Sequence, residues 1–123
     1  MKKVNKKPGL KLRLVLEPGT AMGPGKAEIL KGVKETGSIT AAGRRLGMSY
    51  KRAWQLVDSM NHDFVEPLVK TSKGGQSGGG AKLTPLGNKV LNCYTRMVVK
   101  TEKVIARDLL QLKKSLTPAV RPT

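Results

Sequence analysis

Aromatic residues are scarce in this chain of 123 residues and make up only 3% of it. They are Tyr50, Trp54, Phe64 and Tyr94. A core must therefore be built mainly from Leu, Val, Ile, Met and Ala, which suits packed helices with a short sheet better than a large β-sandwich. The length is that of one domain, since domains most often contain about 100–150 residues.

The chain has one cysteine, Cys93, and one histidine, His62. A single cysteine excludes an internal disulfide, and these two residues do not make a metal-ligand cluster. No segment approaches the ~18 consecutive apolar residues of a membrane span. Residues 10–16, which follow the basic amino terminus, are interrupted by Lys11 and Arg13 and do not form a secretory signal. We therefore expect a cytoplasmic protein that uses no metal and no other cofactor.

Acidic residues are few, with eight Asp and Glu against 24 Lys and Arg, for a net charge of +16. None lies between Glu35 and Asp58, or between Glu66 and Glu102. Such a charge attracts polyanions. The alternative is a device for solubility, but surfaces designed for solubility carry a net charge of only about 2–8. The acids also form no spaced pair beside a nucleophile, so we expect a polyanionic partner and no enzymatic activity.

Three helices are predicted in the first half of the chain. The first covers residues 24–36, where Pro24 suits the first turn and Gly37 suits the left-handed position after the last. Ser38 and Ser49 are natural N-caps for a second helix, 39–46, and a third, 50–62. The residues expected on the buried faces are Ala27, Ile29, Leu30 and Val33 on the first helix, Ile39, Ala42 and Leu46 on the second, and Ala53, Trp54, Val57 and Met60 on the third.

Only three residues, Gly47, Met48 and Ser49, join the second helix to the third. Two short helices joined in this way are typical of a helix-turn-helix, whose later helix enters the major groove of DNA. The alternative is three unrelated short helices. It leaves the tight turn, the two caps and the basic outward face without a common explanation.

Three short runs predict strands. Residues 10–16 alternate apolar and basic side chains, as in a half-buried strand, and a loop follows. Residues 68–71 and 81–84 flank the Gly-rich segment 72–80, which indicates a long hairpin loop. A Gly-rich segment can also cradle phosphate, but neither G-x-x-x-x-G-K-[ST] nor G-x-G-x-x-G is present. We therefore expect a β-hairpin wing in a mainly α-helical fold, a winged helix-turn-helix.

A long helix is predicted from Pro85 to residue 116, with Thr84 as its N-cap. Its apolar seam is longer than a small winged helix can cover. We favour a homodimer through this helix; the alternative is packing on the chain's own strand 10–16, and part of the seam can do both. The residues expected at the dimer interface are Leu91, Tyr94, Val98, Ile105, Leu109 and Leu112. The expected divisions are a basic tail (1–9), the winged helix-turn-helix domain (10–84), the dimerisation helix (85–116) and a second tail (117–123).

Predicted DNA contacts fall on three elements. Arg52 and Gln55 share one face of the third helix and are expected to read bases, because Arg bonds guanine and Gln bonds adenine. Lys51 and Tyr50 are expected at bases or phosphates, and Ser49 acts first as a cap. Contacts from the second helix and the wing, mainly to phosphates, are expected from Thr40, Arg44, Arg45, Lys73, Gln76 and Lys82. The alternative is an ordinary solvated face.

Several motifs are similar to those of a known family. They are Gly37-Ser38-Ile39, Gly47-Met48-Ser49-Tyr50-Lys51-Arg52-Ala53-Trp54, Met60-Asn61, the Gly-rich wing leading into Ala81-Lys82-Leu83-Thr84, and Gly87. Over roughly residues 10–116 these motifs resemble the amino-terminal domain of the ModE family of molybdate-responsive regulators. The resemblance implies a LysR-like winged-helix fold that dimerises through the long terminal helix.

Full-length ModE-family proteins continue into molybdate-binding domains, and no segment of this chain resembles their oxyanion-binding motif. The resemblance therefore gives no support to direct molybdate binding by these residues. Three alternatives follow: constitutive DNA binding, response to a separate partner, or a truncated relative. We predict a homodimeric, sequence-specific transcriptional regulator that binds an inverted repeat in double-stranded DNA, with molybdenum-related genes suggested by the resemblance alone. The alternative functions are a sequence-nonspecific, basic nucleic-acid-binding structural protein and an enzyme or oxyanion carrier.

Overall fold

The computed structural model describes residues 9–72 and 80–118, and every structural statement below concerns those ranges. Four helices and two antiparallel hairpins lie in them. In chain order the elements are β1 (Leu14–Glu17), β2 (Thr20–Met22), α1 (Pro24–Thr36), α2 (Ile39–Arg45), α3 (Tyr50–Asp63), β3 (Val69–Ser72), β4 (Gly80–Leu83) and α4 (Pro85–Lys114). The predicted fold class, mainly helical with a small β-hairpin wing and a long last helix, is confirmed. None of these helices is long and apolar enough to cross a membrane.

Local signals at the helix ends act as predicted. α1 begins at Pro24 and is followed by Gly37, whose φ of 74° lies in the left-handed region. The hydroxyls of Ser38 and Ser49 each accept a hydrogen bond of 3.0 Å from the backbone N–H three residues later. α2 ends one residue before the predicted end and α3 one residue after it. Both serine caps are thus confirmed.

The core lies between α1, α2 and α3 and is completed by the wing (β3 and β4) and the first turns of α4. The apolar stripe predicted for α1 is buried throughout. On α3 one prediction is corrected: Leu56 is buried beside Ala53, Val57 and Met60, whereas Trp54 is half-buried at the edge of the core. A helical period of 3.6 residues places positions 53, 56, 57 and 60 on one stripe, which leaves position 54 at its margin.

Two glycines let α2 pack very close to its neighbours. A Cβ atom on Gly32 of α1 would lie 2.7 Å from the Cβ of Ala42. A Cβ on Gly43 would lie 2.7 Å from the Cβ of Ala53 on α3. Real Cβ atoms essentially never approach so closely, so larger side chains would push the helices apart. The angle at which α3 is presented therefore depends on Gly43.

The predicted strand 10–16 and the loop after it are corrected. β1 begins only at Leu14, and it pairs with β2 in a region predicted as loop. The chain reverses at Pro18 and Gly19, where Gly19 has a φ of 84°. These turn residues end the first strand, but they also return the chain alongside it, and a three-residue strand is too short to show an alternating pattern.

The first part of α4 packs inside the chain. Leu91 and Tyr94 are buried, and the Tyr94 hydroxyl donates a hydrogen bond of 2.6 Å to the carbonyl of Leu12. This part of the predicted seam is therefore used within the chain, as the alternative interpretation of the seam expects. Thr84 caps the helix as predicted, accepting from the N–H of Gly87 at 2.9 Å. The helix ends at Lys114, two residues before the predicted end.

Candidate nucleic-acid interface

The exposed face of α3 begins directly after its serine cap. Tyr50, Lys51, Arg52 and Gln55 are all exposed, as side chains that reach a duplex must be. Arg52 and Gln55 lie on one face, because residues three apart are neighbours on a helix. Ser49 is exposed too, with its hydroxyl engaged as the N-cap. The structure thus brings these five predicted residues together at one end of α3.

α2 adds a second cationic edge. Arg44 and Arg45 are exposed, and Thr40 is half-buried. Arg45 forms an ion pair with Glu35 of α1, with 2.6 Å between Nη2 and Oε1. The hydrogen bond from Arg45 lowers the pKa of Glu35 below its usual value. Arg45 is thereby tethered to α1, whereas Arg44 has no ion pair with a described residue.

Tyr50 and Trp54 connect the exposed face of α3 to the core. Their rings meet edge to face with centroids 6.2 Å apart. Tyr50 is 61% exposed. Trp54 is half-buried, and its indole Nε1 is buried without a hydrogen-bond partner among the described residues. Trp54 therefore packs edge to face against Tyr50 at the margin of the core.

The wing places a further predicted contact, Lys82, at the surface. Lys82 is exposed and lies directly opposite Lys70 on β3. The predicted contacts Lys73 and Gln76 lie outside the described residues. Lys70 was missed as a candidate, although the predicted pairing of the two wing strands already places it across from Lys82. The sequence therefore contains the information needed to name Lys70 as a candidate.

Asn61, near the end of α3, fixes the wing to that helix. Its side-chain carbonyl accepts hydrogen bonds from the N–H groups of Leu68 (2.8 Å) and Val69 (3.1 Å), and its amide donates to the carbonyl of Val69 (3.1 Å). On the other strand of the wing, the N–H of Ala81 donates to the carbonyl of Gly37 at 2.9 Å. Sequence reasoning missed this positioning role, because the backbone partners of Asn61 are set only when the chain folds.

The last part of α4 carries apolar side chains that the chain covers incompletely. Val98, Ile105 and Leu109, all predicted at the dimer interface, are half-buried. Leu112, also predicted there, is 68% exposed, and Val104 is 80% exposed. This surface is separate from the exposed face of α3, so a helix partner and a duplex would not compete for the same side chains.

The fold and the exposed basic start of α3 define a winged helix-turn-helix protein, a class whose members bind duplex DNA. The chain belongs to the family described as bacterial regulatory helix-turn-helix protein, lysR family, which matches residues 26–88. The matched range contains α2, α3, the wing and nearly all of α1. The description of the family is that of regulatory proteins.

Three relatives place the chain more closely. It is 41% identical over 104 residues to the molybdenum-pterin-binding protein MopB of Rhodobacter capsulatus, covering 84% of this chain and 37% of the relative. It is 32% identical over 97 residues to the molybdenum transport protein ModE of Azotobacter vinelandii, covering 79% and 36%. It is 35% identical over 83 residues to the DNA-binding transcriptional dual regulator ModE of Escherichia coli K12, covering 68% and 32%.

These similarities confirm the resemblance to the ModE family. The chain spans about a third of the length of the curated relatives it matches. The similarity carries no information on the functions of the remaining two thirds of those relatives.

Proposed function

We propose that this chain acts in the cytoplasm as a sequence-specific transcriptional regulator that binds double-stranded DNA. The observation that carries the proposal is the exposed start of α3, which α2 and a tight turn hold in the helix-turn-helix arrangement. No acidic residue lies between Glu35 and Asp58, so no carboxylate on α2 or in the first two turns of α3 repels a phosphate backbone. An α-helix fits the major groove, where every base pair shows a distinct pattern of donors and acceptors.

In this proposal Arg52 and Gln55 read bases. Both are exposed near the start of α3, where recognition helices contact base edges. Arg can donate to O6 and N7 of guanine, and Gln can pair with N6 and N7 of adenine. Lys51 and Tyr50, which precede the base readers at the start of α3, contact bases or the flanking phosphates.

Phosphate contacts come from α2 and the wing. Arg44 is exposed at the carboxyl end of α2, and Arg45 uses one N–H for Glu35 out of the five that a guanidinium carries. Thr40 lies one turn earlier, and Ser49 contributes at the start of α3. Lys82, Lys73 and Gln76 are assigned to the contact between the wing and the DNA phosphates.

The functional unit in this proposal is a homodimer formed through α4. Its interface comprises Val98, Ile105, Leu109 and Leu112, whereas Leu91 and Tyr94, which were also predicted there, are buried within the chain. The exposed fraction of Leu112 supports this role. A two-fold dimer presents two copies of α3 about 34 Å apart, which requires an inverted repeat with half-sites one helical turn apart.

The regulated genes are proposed to be related to molybdenum. The support comes from the names of the relatives, which include a molybdenum-pterin-binding protein and a molybdenum transport protein. The described residues contain no group of three or more His, Cys, Asp or Glu that could hold a metal ion. The signal that adjusts DNA binding is assigned to no residue of this chain.

Selection of duplexes from a random pool tests the proposal. We expect an inverted repeat among the selected duplexes and a preference for it of ~10³-fold or more over unrelated DNA. Mapping that repeat in the source genome should then place it near molybdate uptake genes. A pool that is not enriched would contradict the proposal and favour the sequence-nonspecific nucleic-acid-binding alternative.

A further inference from the structure

Lys70 and Lys82 form a like-charged pair at the base of the wing. They lie directly opposite each other in the register of β3 and β4, and both are exposed. Side chains in such positions have Cβ atoms about 4.5–5.5 Å apart, and like charges there destabilise the hairpin. Neither lysine has an ion pair with a described residue. An uncompensated cost of this kind indicates a role other than folding.

An open cleft of about 580 Å³ lies beside this pair. Its described lining combines the two lysines with two hydroxyl side chains and three small residues, and none of these described residues carries a carboxylate. The lining residues are Gly37, Lys70, Thr71, Ser72, Gly80, Ala81 and Lys82. A smaller cavity of about 370 Å³ shares both lysines, but Glu66 lies in its wall and opposes an anion. The larger cleft is therefore the better place for negative charge.

We propose that Lys70 and Lys82 bind one tetrahedral oxyanion in the larger cleft. Two ammonium groups on adjacent strands supply six N–H donors, which suits an ion with several acceptor oxygens. The Ser72 hydroxyl accepts a hydrogen bond of 3.3 Å from the N–H of Gly80 and still has its own proton to donate. The chemistry recognised is an anionic oxygen cluster with no requirement for a base or sugar.

Two sources provide that chemistry: a phosphate of the DNA backbone, or a free oxyanion such as inorganic phosphate. With DNA, the site rests on the proposed function and adds Lys70 to the wing contact. With a free oxyanion, the site does not rest on the proposed function. A bound oxyanion would compete with DNA for the wing, and duplex binding would weaken as the oxyanion concentration rises.

The first experiment titrates inorganic phosphate into the full chain at constant ionic strength and follows backbone amide resonances. We compare the wild type with the double variant Lys70→Gln/Lys82→Gln. The matched control, Lys31→Gln/Lys103→Gln, removes the same charge from exposed lysines outside the cleft. Saturable shifts at Thr71, Gly80 and Ala81 that vanish only in the Lys70/Lys82 variant support the free-oxyanion source.

The second experiment measures affinity for a selected duplex against salt concentration. Losing one phosphate contact lowers the slope of log K against log salt by roughly 0.9. A reduction of this size or more in the Lys70/Lys82 variant, and none in the control, supports the DNA source. Lys70→Gln alone should also raise the midpoint of thermal unfolding, because it removes the like-charge repulsion. A purely structural role for Lys70 predicts a lower midpoint.

Two results would overturn the site. One is a Lys70/Lys82 variant that matches the control in both the phosphate titration and the salt slope, while the wild type still selects a duplex; the proposed function then survives alone. The other is a lower unfolding midpoint for Lys70→Gln with no change in anion binding. A saturable phosphate titration in a protein that selects no duplex would instead support the site and contradict the proposed function.

Discussion

At the start of α3, Arg52 and Gln55 lie exposed and three residues apart. Replacing Arg52 with Ala should relax base preference at one position of each half-site, at a cost of about 1–3 kcal/mol for the preferred base pair. Binding to a panel of duplexes that carry each base pair at each position measures this. Arg44→Ala is the control, since a phosphate contact should weaken all duplexes equally. An equal loss across the panel for Arg52→Ala would remove Arg52 from base readout.

One phenol ties α4 to the amino-terminal segment. The Tyr94 hydroxyl donates to the Leu12 carbonyl, and burial, with a smaller contribution from Glu28, raises the pKa of Tyr94. Tyr94→Phe should lower the free energy of unfolding at neutral pH by about 0.5–1.5 kcal/mol, the usual net contribution of one hydrogen bond.

The same phenol makes stability depend on alkaline pH. Because the pKa of Tyr94 is higher in the folded state, its stabilising contribution is complete below the unfolded pKa of about 10 and is lost as pH rises through the folded value. Urea unfolding between pH 7 and pH 11 should therefore show the advantage of the wild type over Tyr94→Phe shrinking above about pH 10. A constant difference between the two proteins would contradict this assignment.

At the scale of elements, the contact between α2 and α3 depends on Gly43. Gly43→Ala should cost about 1–3 kcal/mol, because the added methyl group meets the Cβ of Ala53 and overpacks the contact. Gly25→Ala on α1 is the control, since its Cβ would meet no atom within 4 Å, and it should be neutral or stabilise by about 0.4–1 kcal/mol. Chemical denaturation distinguishes them. Equal stabilities for the two variants would show that the helices separate without cost.

The junction between α3 and the wing depends on Asn61. Asn61→Ala removes three hydrogen bonds to the backbone of Leu68 and Val69 and should destabilise the fold by about 1–3 kcal/mol. It should also weaken binding to all duplexes without changing base preference, because the wing is displaced and α3 is not. Asn92→Ala on the exposed side of α4 is the control. An altered base preference in Asn61→Ala would mean that the anchor also orients α3.

At the scale of the whole molecule, the last part of α4 is expected to hold two copies together. Ile105→Gln/Leu112→Gln should convert the dimer to a monomer in sedimentation experiments, because both residues lie on the incompletely covered seam. Folding should persist, since the core lies elsewhere. Leu110→Gln, a 52% exposed residue on the opposite side of the helix, should leave the dimer intact. A monomeric wild type would contradict the proposed interface.

The elements that the sequence predicts well are those set by nearby residues. α1, α2 and α3 lie within a residue or two of their predicted ends, because Pro24, Gly37, Ser38 and Ser49 act on their own helices. β2 was missed because only a partner strand makes three residues into a strand. Trp54 was placed too deep because the buried stripe of α3 runs through positions 53, 56, 57 and 60 and leaves position 54 at its margin.

The sequence by itself determined the class of fold, the exposed basic start of α3 and the length of α4, since charge, capping and hydrophobic period are local properties of a chain. Tertiary structure alone decided the remaining features. It placed Arg45 beside Glu35 and joined the wing to α3 through the hydrogen bonds of Asn61. It also buried Leu91 and Tyr94 within the chain and formed the cleft beside Lys70 and Lys82. Each of these features joins residues from different parts of the fold, and the packing that brings those parts together is not set by a single local pattern.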